Sequence, residues 1–198
     1  MGGPSTELCP GWTAAVQPGI GEESRMTAQR PVPSLKACVD VDYREQEAVS
    51  ACLLFGGWET DHPTHTLVER VSPVAPYVPG EFYRRELPCL LAPLRQIIEL
   101  VGAVIVDGYV WLDDAHRPGL GAHLYGALGE QVTVIGVAKS AFRGAPAVEV
   151  RRGRSERPLY VTAAGMSAQT AARHIQEMHG EDRMPTLLRQ ADQLCRRA

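Results

Sequence analysis

Three short apolar runs in this chain each carry or run into a charged side chain, and few folds can accommodate that. Asp40 sits between Val39 and Val41 within residues 35–43 (LKACVDVDY). Residues 103–106 (AVIV) run directly into Asp107, and residues 132–138 (VTVIGVA) into Lys139. Apolar runs of this length, bounded by turn residues, read as strands, and unbroken apolarity marks strands covered on both faces. A carboxylate buried there without a partner costs several kcal/mol or more, so it must meet a cation or a hydrogen-bond donor. The ends of buried strands are also where open α/β sheets place ligands.

The remaining pattern supplies the rest of a sheet and its covering helices. Residues 48–55 (AVSACLLF) and 65–71 (HTLVERV) read as two further strands, antiparallel to the first. The proline-rich stretch 72–80 is a stiff connector. Residues 81–101 read as a long helix with Leu90, Leu91, Leu94, Ile97, Ile98 and Val101 on one face. A start near Leu87 would put Pro88 in the first turn, whereas Pro93 should kink the helix. Residues 119–129 are expected to be helical, and 147–151 with 158–162 form a last strand pair. Two closing helices span 167–178, capped by Ser167, and 185–197. This order is mixed α/β and matches a ribonuclease H-like mixed central sheet flanked by helices, in which carboxylates from separate strands converge at one end. Residues 1–34, rich in Gly, Pro, Ser and Thr, read as a flexible N-terminal tail before a domain spanning 35–198. Translation starting at Met26 would remove most of that tail.

Composition narrows the function. The 198 residues suit one well-cored domain, and no apolar stretch approaches the roughly 20 residues of a membrane span. No basic-then-apolar leader opens the chain. Five widely spaced cysteines without a CxxC pair argue against zinc and for a reducing cytoplasm. Residues 139–198 carry 11 Lys+Arg against 6 Asp+Glu, while residues 1–138 carry 9 against 17. A basic part beside an acidic one suits a protein that grips phosphates on one side and cations on the other, although a solvated arginine surface reads the same way.

Asp40 and Asp107 are therefore candidate ligands for a hard divalent cation; Mg²⁺ takes one or two carboxylates and keeps several waters. Glu86, at or just before a helix start, offers a third carboxylate, or merely an acid favoured by the helix dipole. Lys139 either neutralises a phosphate oxygen or balances Asp107, and Ser140 can donate to the same phosphate. In Pro76-Tyr77-Val78-Pro79-Gly80 two prolines stiffen a loop around one aromatic ring. Such a loop can wedge into a base stack, or simply pack its tyrosine under a turn.

Together these segments resemble the endonuclease V family. The matching pieces are VDVDY (39–43), PYVPGEFYRRELP (76–88), VIVDG (104–108), PGLGAHLY (118–125), VIGVAKS (134–140), RPLYVT (157–162) and RMPTLLRQADQL (183–194). The resemblance implies a Mg²⁺-dependent endonuclease, with Mn²⁺ as a substitute, that recognises deoxyinosine in DNA and cuts 3′ of the lesion in DNA repair. Some members act on inosine in RNA. It implies Asp40 and Asp107 as direct metal ligands, with Glu86 in the inner shell or just outside it. Lys139 would meet the scissile phosphate, Tyr77 would be the wedge beside Pro79, and Gly80 and Gly108 would border a flipped-base pocket. Two family histidines are replaced. One position holds Asp113, with His116 nearby; the other falls in Ala163-Ala164-Gly165-Met166. Asp113 as an added ligand, His116 as a substitute imidazole, and a weakened homologue that binds inosine-containing or branched nucleic acid without cutting are the alternatives. A structure-specific nuclease without inosine preference and an inosine-specific ribonuclease are the others. A monomer is the default.

Overall fold

A computed structural model describes residues 35–198; the expected tail, Met26 and Cys9 lie outside them. Seven strands form one sheet: β1 (Leu35–Tyr43), β2 (Ala48–Phe55), β3 (His65–Val71), β4 (Val101–Asp107), β5 (Thr133–Ala138), β6 (Val148–Val150) and β7 (Leu159–Ala164). Their order is β3-β2-β1-β4-β5-β7-β6. The central β1, β4 and β5 are mutually parallel, and every other pairing is antiparallel. The antiparallel β1–β2–β3 meander expected from the sequence is present, with the expected bounds.

Helices cover both faces, as near-continuous burial of the central strands requires. α1 (Phe82–Leu94) and α2 (Leu120–Ala127) pack on the face built from Val39, Leu54, Val104 and Val134. α3 (Ala168–Glu177) and α4 (Thr186–Arg197) pack on the face built from Cys38, Leu53, Ile105, Ile135 and Val161. Ser167 caps α3 as expected, accepting a hydrogen bond from the Thr170 N–H at 3.1 Å. Cys38, Cys52, Cys89 and Cys195 are free and buried, as small apolar side chains are. No helix among the described residues is long and apolar enough to cross a membrane.

The helix expected over residues 81–101 is shorter and earlier than that. It starts at Phe82, so Pro88 lies inside it, and it stops at Leu94. After Pro93 the bonding tightens to Gln96 N–H onto the Pro93 carbonyl and Ile97 N–H onto that of Leu94. A short 3₁₀ turn (Ile98–Leu100) follows, and Val101 already pairs with Leu35 as the first residue of β4. Pairing in the central sheet takes the end of the apolar stripe away from the helix.

Candidate active site

The parallel register brings the charged strand ends together. Val39 lies opposite Val106, and Asp107 opposite Val137. Because side chains alternate along a strand, Asp40 shares a face with Cys38, Asp107 with Ile105, and Lys139 follows Val137. All three point to the side covered by α3 and α4. They line a cavity of about 180 Å³, closed on its far wall by Leu188, Arg189 and Asp192 of α4.

Each group bears the mark of that setting. Asp40 accepts a hydrogen bond from the Val41 N–H at 2.9 Å. Burial, reinforced by the charge of Asp107, pushes its carboxyl up to about 6. The Lys139 ammonium donates to Asp107 Oδ2 at 2.9 Å. Burial would lower that ammonium, but the hydrogen bond and charge of Asp107 outweigh it and raise it.

Glu86 reaches the same sheet end from the opposite face. It lies in the second turn of α1, not at the helix start, so dipole stabilisation does not account for it. It is 8% exposed. Burial, then the charge of Asp40, pushes its carboxyl up to about 8. Its buried Oε2 has no partner in full hydrogen-bond geometry, and the nearby Tyr43 hydroxyl and Arg85 charge offset the upward push only in part. An orphaned carboxylate oxygen is costly unless a cation meets it.

Among the described residues, no group of three or more His, Cys, Asp or Glu side chains is placed to hold a metal ion. The donor set nevertheless fits a hard cation that keeps most of its water. It is all oxygen, one oxygen is orphaned, and one or two direct carboxylates suffice for Mg²⁺. Asp192 extends this set and carried no role in the sequence reading. Its signal was faint: an acid beside the Leu188–Ala191–Cys195 buried stripe of an amphipathic helix.

A second cavity, of about 210 Å³, opens beside the first and shares Asp107 with it. Gly80 and Gly108 both line it, with Phe82, Tyr83 and Leu120. Both glycines have positive φ, +81° and +129°, so the backbone turns away there as other residues rarely can. The turn after Asp107 is pinned from below. Gly108 N–H donates to the Val137 carbonyl at 3.1 Å, and Val110 N–H to Thr162 Oγ1 at 2.8 Å. Tyr109 OH donates to the Ser140 carbonyl at 2.7 Å and accepts from the Phe142 N–H at 3.0 Å, tying the Lys139 loop to the Asp107 turn. Tyr77, 58% exposed, projects from the proline loop with its ring 6.3 Å from that of Phe82. Pro79 is exposed beside it.

Asp113 and His116 are not brought to the carboxylates. Asp113 accepts from the Arg117 N–H and guanidinium at 3.0 and 3.1 Å. His116 sits edge-on to Trp111, and neither residue lines the two cavities. Ala164 pairs with Val134 at the start of β5, the sheet end opposite Asp107. The second replaced histidine position is therefore remote from this site.

Comparisons with known proteins follow the same lines. An endonuclease V family model matches residues 21–163. The endonuclease V of Streptomyces coelicolor is 32% identical over 98% of this chain and 95% of its own length. That of Streptomyces avermitilis is 32% identical over 81% and 78%. Among solved structures, Ciona intestinalis endonuclease V, in complex with a 23mer DNA containing an inosine followed by a ribo-adenosine, is similar with a TM-score of 0.70. Its identity is 19%, over 83% of this chain and 84% of that one. The Bacillus subtilis endonuclease V gives 0.69 at 19% identity, over 82% and 79%. The likeness to solved structures establishes the ribonuclease H-like fold, and with the family match and the full-length relative it follows that the chain belongs to the endonuclease V family.

Proposed function

We propose that this protein is a Mg²⁺-dependent endonuclease that cuts deaminated, inosine-containing DNA 3′ of the lesion in DNA repair. The observation that carries the reading is Asp107 standing in the wall of both cavities, one lined by carboxylates and one bordered by Gly80 and Gly108. A cleaving site and a base-sized recess share one residue. Asp40 and Asp107 would hold the cation, with Glu86 and Asp192 to either side. When bound, it would supply an activated water and offset charge on the phosphate.

This chain's own groups do the rest. The Lys139 ammonium, held on Asp107, is within reach of a phosphate oxygen and of charge developing on the leaving 3′ oxygen. Ser140 offers a hydroxyl on the same loop. Backbone groups around Gly80 and Gly108 offer donors and acceptors to a flipped hypoxanthine, and Tyr77 fills the gap it leaves. The products are a 3′-hydroxyl and a 5′-phosphate. Four buried free cysteines favour a reducing compartment, taken as the cytoplasm, with the chain acting as a monomer.

The test is an end-labelled duplex with one deoxyinosine, beside an adenine control and a copy with a ribonucleotide 3′ of the inosine. One cut on the 3′ side of inosine is expected, abolished by Asp40→Ala and by Asp107→Ala. Unaltered cutting by either variant, or equal cutting of the adenine control, would overturn the assignment. The ribonucleotide copy separates DNA from RNA preference.

A further inference from the structure

Resting on that reading, we propose that the turn joining β6 to β7 is a phosphate-binding surface that grips the nucleic-acid backbone to one side of the scissile phosphate. The topology puts it there. Ala138, at the end of β5, pairs with Tyr160, and Val150 pairs with Leu159. Residues 151–158 and the β5 exit loop thus emerge at the sheet end that carries Asp107. Arg183 joins the two, donating from Nη2 to the Pro158 carbonyl at 2.5 Å and also to the Lys139 carbonyl.

The turn is rich in arginine, and the exposed acids in and beside it are Glu149, Glu156, Glu181 and Asp182, the last paired with Arg189. Arg151, Arg154 and Arg157 of the turn, and Arg143 of the exit loop, are all exposed. Residues 139–157 hold six Lys+Arg against Glu149 and Glu156. Asp and Glu side chains pair with arginines elsewhere on the molecule, but among the described residues these four arginines form no ion pair. Clustered like charges repel until an anion arrives, and a linear polyanion satisfies several at once.

The turn is also built to hold still. Arg152 is 4% exposed and lies beneath it. Its guanidinium donates to the Asp182 and Gly180 carbonyls at 3.1 and 3.2 Å, and to that of Met178. Gly153, at φ +56°, lies so close to the α3–α4 connector that a Cβ there would stand 1.7 Å from the Glu181 carbonyl oxygen. The outward arginines start from a fixed base, which lowers the ordering cost of each phosphate contact. Such contacts position a strand and carry no sequence information.

The test uses the full chain and labelled duplexes, one with deoxyinosine and one with adenine, in EDTA so that only binding is read. Arg154→Gln/Arg157→Gln is compared with a charge-matched control, Arg95→Gln/Arg197→Gln, whose exposed side chains follow or lie on helices packed over β2, across the sheet from β6. The turn variant is expected to weaken binding of both duplexes about tenfold or more near 0.1 M salt. It should lower the slope of log affinity against log salt by roughly two, at about 0.9 per lost phosphate contact, while the control keeps its slope. An unchanged slope in the turn variant, or an equal loss in the control, overturns the surface. Unmodified protein that binds neither duplex overturns it too. Unmodified protein that binds both equally and, when Mg²⁺ is then supplied in place of EDTA, cuts neither overturns the inosine-nuclease reading alone, since the slope still decides the surface.

Discussion

At the scale of single residues, the site is a cluster of acids held above their ordinary range. Asp40 stands at about 6 and Glu86 at about 8, each raised first by burial and then, among its neighbours, by another carboxylate. An acid whose folded value is raised favours the fold in its protonated form. Its stabilisation is complete below the unfolded value, near 4, and is lost as pH rises through the folded value. The metal-free protein should therefore melt at falling temperature between about pH 4.5 and pH 8. Glu86→Gln should flatten that fall, and Mg²⁺ should raise the melting temperature more at the alkaline end, because the cation takes the proton's place. Calorimetry in EDTA and in Mg²⁺ reads this; parallel pH profiles for the two proteins would contradict it. Lys139→Met removes the cation paired with Asp107. Cleavage should drop on the order of 100-fold with little change in melting temperature, as read by single-turnover kinetics.

At the scale of elements, legibility followed burial. β1, β2 and β3 appear with the bounds their apolar runs announced, and Asp40, Asp107 and Lys139 meet because parallel pairing fixes their register. The end of α1 was not legible, since Pro93 and the pull of β4 act on a stripe that looks helical throughout. Asp192 was hidden for a related reason. An acid beside the buried stripe of an amphipathic helix looks like any solvated charge until the helix is docked on β1. The Asp107 turn is more constrained than its sequence suggests. A Cβ at Gly136 would lie 2.5 Å from the Gly108 carbonyl oxygen. Gly136→Ala should cost about 1–3 kcal/mol, measured by urea unfolding, and should lower cleavage by displacing that turn. Tyr77→Ala, at an exposed position, should leave stability unchanged and selectively lower cutting at inosine. Undiminished selectivity would remove the wedge role.

At the scale of the molecule, one sheet end carries the acids, Lys139 and the arginine turn, and the two cavities meet there at Asp107. The charge split between the first 138 residues and the last 60 was visible in the sequence. Its meaning was not, because only the sheet order sets β7 beside β5, with β6 outside it. The replaced histidines looked like damage to the site in sequence; in the fold, Asp113 caps its own turn and Ala164 lies at the far end of the sheet. The activity proposed for this sheet end is cutting beside inosine with a divalent cation. The direct measurement is the cutting rate of a single-deoxyinosine duplex and its adenine twin as Mg²⁺ is titrated into EDTA-treated protein. No cutting is expected without the cation, with restoration by Mg²⁺ or Mn²⁺ beside inosine alone. Cutting that persists in excess EDTA, or that returns equally on both duplexes, would contradict it.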